Sequence, residues 1–91
     1  MSITVSVPTQ LRTLTGGHSE VQADGSTIGD VIRTIDARYP GFAGRVLDDN
    51  GSIRRFVNVY LNSEDVRFLN GIDSEVPQSA SISIIPAVAG G

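Results

Sequence analysis

Strands arranged around one amphipathic helix predict an α+β fold, a mixed sheet of about five strands packed on one main helix. Three observations carry this expectation. Residues 2–7 and 80–85 alternate apolar with polar side chains, the period of a half-buried strand, and 54–61 does so in its apolar set. Ile28, Val31, Ile32 and Ile35 recur at the spacing of one helix face. The chain has 91 residues, enough for one modest core without a metal or crosslink.

Each element has its own signal. Ile3, Val5 and Val7 alternate with Ser2, Thr4 and Ser6, and Pro8 ends that strand. Leu11 and Leu14 are apolar anchors in a short connection closed by the Gly16-Gly17 turn. Residues 18–23 make a weaker second strand, close enough to the first for a hairpin. Thr27 is an N-cap with Asp30 three residues on, which starts a helix over 27–38. Pro40-Gly41 stops it, because the residue before a proline is disfavoured in helical geometry. Residues 41–53 read mostly as loop, with Phe42, Val46 and Leu47 packing as a single turn under the sheet. Residues 54–61 read as the strongest central strand, with Val57, Val59 and Leu61 on one face and Phe56, Asn58 and Tyr60 on the other. A turn at 62–65 leads to a short return strand at 66–68. After an irregular crossing comes the last strand, 80–85, with Ala80, Ile82 and Ile84 on one face. The order β-β-α-β-β-β in so short a chain fits the β-grasp, or ubiquitin-like, fold. One domain over residues 1–91 is expected, with 86–91 as a flexible C-terminal tail.

Composition narrows the function. There is no cysteine, which removes disulfides, thiolate nucleophiles and iron–sulfur ligation together. The net charge is −3, without the basic footprint of a nucleic-acid binder. No apolar run approaches a bilayer span and no basic segment precedes the first strand, so no membrane partner and a cytoplasmic location are expected. The seven basic residues are all arginine. Once its C-terminus is activated, such a chain cannot acylate itself through a lysine.

The terminal Pro86-Ala87-Val88-Ala89-Gly90-Gly91 is the stretch that the body serves. Fraying is one reading, since termini tolerate change. In the other reading the working group is the α-carboxylate of Gly91. Two glycines make a thin backbone able to approach another molecule closely. Five residues beyond Pro86 reach roughly 17 Å when extended, enough to enter an active site while the body stays outside.

Other candidates are weaker. His18, the only histidine, reads as a surface residue. Asp48, Asp49, Glu64 and Asp65 lack calcium-loop spacing and read as solvated turns, so no metal site is expected. No elbow motif frames a serine for hydrolysis. Phe56, Tyr60 and Phe68 have two readings. They belong to the core, or they face outward with Asn58 as an apolar patch of the kind that marks an interface. Arg54, Arg55 and Arg67 are then either its polar rim or solvated edge residues.

The run Arg55-Phe56-Val57-Asn58-Val59-Tyr60-Leu61-Asn62-Ser63-Glu64-Asp65-Val66-Arg67-Phe68, joined to Ile85 and the tail, resembles the ThiS/MoaD group of ubiquitin-like sulfur carriers, and within it the carriers of cysteine biosynthesis. The resemblance extends over essentially the whole chain, including Val5-Ser6-Val7-Pro8 and Gly16-Gly17. It implies a non-enzymatic carrier with no catalytic side chain and no bound cofactor. A ubiquitin-activating-like (MoeB/ThiF-type) adenylyltransferase/sulfurtransferase would use ATP and Mg to adenylate Gly91, and sulfur would then replace AMP to leave a thiocarboxylate. The resemblance further implies two other partners. A pyridoxal-phosphate (PLP) cysteine synthase, or another sulfur-accepting synthase, would take the sulfur. A JAMM-type zinc metalloprotease would release the product and regenerate Gly91. It also favours docking of the activating enzyme on the open sheet face, through Phe56, Asn58, Tyr60 and Phe68 with Arg55 and Arg67. Delivery to molybdopterin, thiamin or a sulfur-containing secondary metabolite stays open. So does a ubiquitin-like modifier conjugated through Gly91.

Overall fold

The computed structural model describes residues 3–86. The expectations about Ala87, Val88, Ala89, Gly90 and Gly91 lie outside the described residues. Strands β1 (Ile3–Ser6) and β2 (Glu20–Ala23) form the expected antiparallel hairpin, with Val5 opposite Val21. The connection is a 3-10 turn, Thr9–Leu11, whose Leu11 is buried. Helix α1 spans Ile28–Arg38. The Thr27 side chain accepts from the Asp30 N–H at 3.2 Å and so satisfies one of the free amides of the first turn. The return bond of a full capping box is replaced. Thr27 bridges to Glu75, and the Asp30 carboxylate sits 3.6 Å from Arg33.

The predicted face of α1, Ile28, Val31, Ile32 and Ile35, is buried throughout. It joins Val5, Val59, Ile82 and Ile84 of the sheet in one cluster. Burying each such aliphatic side chain contributes about 1.5–3 kcal/mol. The expected single turn at 41–53 is a short helix, α2 (Phe42–Val46), with Phe42 and Val46 fully buried. It forms because Asp36 of α1 reaches across the corner, and one carboxylate oxygen accepts from the N–H groups of Gly41 and Ala43 at 3.1 and 2.9 Å. Gly41 turns the corner at φ 100°, in the left-handed region that glycine alone adopts freely.

Three expectations change in the second half. Strand β3 covers Val57–Leu61, so Arg54, Arg55 and Phe56 precede it instead of opening it. The return strand is β4 (Glu64–Asp65), and Val66–Phe68 is a 3-10 turn. Asn62 and Ser63, at φ 50° and 78°, make a two-residue hairpin turn that starts the return early. The Asp65 carboxylate then accepts from the Arg67 N–H at 2.9 Å and coils the chain. Strand β5 (Ser81–Pro86) takes in Pro86.

The sheet order is β2-β1-β5-β3-β4, with β1 and β5 parallel and every other pair antiparallel. This is the β-grasp arrangement the pattern predicts. The central position belongs to β5, not to the 54–61 segment. Ile82 and Ile84 face the helix, while Ser81, Ser83 and Ile85 face the other way.

Candidate functional site

The root of the tail is built by the end of β5. Its last residues oppose the start of β3, with Asn58 beside Ile85 and Val57 beside Pro86. On the other flank β1 pairs only as far as Ser83. From Ile84 onward β5 is therefore an edge on that side, a position in which a proline lacking its N–H is tolerated. Pro86, expected to stop the strand and begin the tail, is instead the last strand residue. The described chain thus ends at the sheet end at which β3 begins.

The open face of the sheet runs in rows set by register. Gln22, Thr4 and Ser81 form one, and Glu20, Ser6, Ser83 and Tyr60 another. A third is Asn58 with Ile85. The first two rows are polar apart from Tyr60, which is half-buried. Apolar exposure concentrates at the tail end, where Ile85 is 48% and Phe56 58% exposed, and on the adjoining 3-10 turn, where Phe68 is 84% exposed. The core reading of Phe56 and Phe68 therefore does not hold. Phe42, which precedes the candidate run, is the phenylalanine of the core.

Arg67 ties this corner together. Its guanidinium donates to the side-chain oxygen of Asn58 at 2.6 Å and to the carbonyls of Val57, Arg54 and Arg55 at 2.6, 2.8 and 3.4 Å. Arg54 in turn donates to the Gly44 carbonyl at 3.0 Å, which anchors the same turn to α2. Arg55 lies 5.9 Å from the centre of the Phe56 ring. Arg54 and Arg67 are thus neither a free rim nor simply solvated. The structure brings Arg55, Asn58 and Arg67 into one cluster with the Phe56 turn, and leaves Tyr60 farther along the open face.

One feature escaped the sequence. On the β1 flank of the tail root an open cleft of about 450 Å³ is lined by Val7, Pro8, Arg12, Ile85 and Pro86, among others. Arg12 is aimed there by donating from Nε to the Val7 carbonyl at 3.1 Å. No local pattern announces that contact, because it depends on where the 3-10 turn folds back. The remaining candidates keep plain roles. His18 is exposed, and its carbonyl accepts from the buried Thr15 hydroxyl at 2.9 Å. Asp48 closes its own turn by accepting from the N–H groups of Asn50 and Ser52. Among the described residues, no helix is long and apolar enough to cross a membrane.

The comparisons with known proteins agree in direction. The model of the ThiS family matches residues 5–91. The sulfur carrier protein CysO of Mycobacterium tuberculosis is 47% identical over 93 aligned positions that span 100% of both chains. In the crystal structure of the Amycolatopsis orientalis BexX/CysO complex, one chain superimposes with a TM-score of 0.93 at 45% identity, covering 98% of this chain and 99% of that one. Small archaeal modifier protein 3 of Haloferax volcanii is 40% identical over 68 residues, 75% of this chain and 73% of that protein. The sheet order, the position of the tail root and these full-length likenesses converge: the chain belongs to the ThiS family of β-grasp sulfur carriers.

Proposed function

We propose that this carrier works through the carboxylate of Gly91, and that the folded body is a handle without catalytic side chains of its own. The observation that carries the reading is the family match through residue 91, together with full-length similarity to a sulfur carrier. A carboxylate is a poor electrophile because its leaving group would be oxide. Adenylation by a ubiquitin-activating-like enzyme overcomes this. A carboxylate oxygen bonds to the α-phosphorus of MgATP, and pyrophosphate leaves. A sulfur nucleophile then bonds to the acyl carbon, the bond to AMP breaks, and a thiocarboxylate remains. One difficult substitution becomes two easier ones.

Cysteine biosynthesis is the destination we favour, because the full-length relatives at 45–47% identity are CysO proteins and the resemblance of the sequence is to carriers of that pathway. On that reading a PLP-dependent synthase accepts the sulfur and a JAMM-type metalloprotease frees the product, all in the cytoplasm. The docking surface is the tail end of the sheet, Phe56, Asn58 and Ile85 with Phe68 beside them. The argument is geometric: an enzyme that closes around residues beyond Pro86 comes up to the sheet end that holds Pro86, and there the exposed apolar side chains gather on the β3 side. The likeness to an archaeal modifier protein supports a second reading, in which an amine of another protein attacks the activated Gly91.

The test is intact mass after incubation with activating enzyme, MgATP and sulfide. The expected product is heavier by about 16 Da, sulfur replacing oxygen on the activated acyl group. Gly91→Ala should lower its yield, because a Cβ crowds the attacked carbonyl. Sulfur delivery that survives removal of Gly90 and Gly91 would sink the proposal. Amine-linked adducts forming in preference to the thiocarboxylate would favour the second reading.

A further inference from the structure

We propose that Arg67 is a positioning residue for the activation step. Its guanidinium fixes the turn at 54–57, so that Phe56 meets the activating enzyme in a set orientation. The inference rests on the docking reading above and deepens it. The occupant is the enzyme that adenylates Gly91, because Val57, next to Phe56, pairs with Pro86, the residue from which the tail continues.

Three backbone carbonyls, those of Arg54 and Arg55 in the exposed turn and that of Val57 at the start of β3, converge on a single guanidinium nitrogen. Carbonyls of such a turn ordinarily bond to water. Here the backbone closes the turn once, from the Val57 N–H to the Arg54 carbonyl at 3.0 Å, and one side chain adds bonds to all three carbonyls on either side of Phe56. The second nitrogen holds Asn58, which pairs with Ile85 at the tail root. The base of Arg67 is fixed as well, since its own N–H is held by Asp65. A lysine cannot serve both sites at once, because its one nitrogen could meet the carbonyls or the Asn58 oxygen, whereas the guanidinium holds each with a separate nitrogen.

Stability alone does not account for the orientation given to Phe56. Phe56 is 58% exposed, so the fold gains little from orienting it, while Val57 and Val66 anchor the two segments in the core. Ion pairing does not explain it either. Among the described residues the one salt bridge is Arg33–Asp30. What the clamp accomplishes is preorganisation. An aromatic anchor held in place before contact loses less freedom on binding.

The experiment measures pyrophosphate release by the cognate ubiquitin-activating-like enzyme with MgATP, as a function of the concentration of the full-length carrier. Phe56→Ala, Arg67→Lys and Arg67→Ala are each expected to raise KM for the carrier about five- to tenfold at unchanged kcat. Because Arg67 acts through Phe56, the Phe56→Ala/Arg67→Ala double variant should match Phe56→Ala alone within about twofold. Thermal melting confirms that each variant is folded, and Arg67→Lys carries the test if the alanine variant is not. A wild-type KM for Arg67→Lys would overturn the inference, since a single donor nitrogen would then suffice and the two-ended guanidinium would not be what positions the turn. So would single effects that multiply in the double variant. If Phe56→Ala raises KM and neither Arg67 variant does, only this inference falls. If Phe56→Ala itself leaves KM unchanged, the docking reading falls with it.

Discussion

From Ile3 to Arg38 the large apolar side chains of strand and helix turn inward; from Arg54 to Phe68 only β3 and Val66 do so, and the exposed turn before β3 is tied down by Arg54 and Arg67 on backbone carbonyls. The first region spends its apolar residues inward, with Val5, Ile28 and Ile35 at most 1% exposed. The second leaves Phe56 and Phe68 outside. The contrast separates two tasks. Burial makes the handle stable, and polar clamps hold apolar side chains where a partner can reach them. A large hydrophobic residue kept at the surface by dedicated hydrogen bonds is a better sign of an interface than exposure alone.

The sharpest way to break the contrast uses one residue type in both settings. Phe42→Ala should cost about 3–5 kcal/mol of unfolding free energy, because the ring is fully buried. Phe68→Ala, at 84% exposure, should stay within about 0.5 kcal/mol. Urea denaturation of both variants checks this, and equal losses would erase the distinction. A smaller effect is expected at Gly25, where a Cβ would lie 2.8 Å from the Val31 nitrogen. Gly25→Ala should therefore cost about 1–3 kcal/mol, read from the same curves. Smaller again is the loss expected at the cap. Thr27→Ala should cost about 1 kcal/mol, with helical content by circular dichroism lost first on heating. An unchanged midpoint would mean that the bridge from Thr27 to Glu75 already fixes the start of α1.

The same division explains what could be read from residues alone. The helix face, its cap and the first hairpin were legible because their signals are local: period, Thr27, Pro40-Gly41. The last strand was legible from Ala80, Ile82 and Ile84. The start of β3 was not. Arg54 to Phe56 continue its apparent alternation, and it takes the bonds of Arg54 to Gly44 and Val46, of Val57 to Arg54, and of Arg67 to this turn to hold them out of the ladder. The 3-10 turn at Val66–Phe68 was missed for a similar reason. Asp65 reads as a solvated turn residue until its carboxylate is seen on the Arg67 amide. The exposed side chains of the corner were named from the sequence, but Arg67 was read as rim or edge rather than as a clamp. Arg12 and its cleft carried no sequence signal.

The sheet order has a consequence for synthesis. The middle strand, β5, is translated after both of its neighbours, β1 and β3. A nascent chain halted before Ser81 has two strands with nothing between them, and the long-range pairing that completes the sheet must wait. The segment that finishes folding is also the one that immediately precedes residue 87. A polypeptide that reaches its activating enzyme correctly folded has therefore already been translated through the root of the group it will carry.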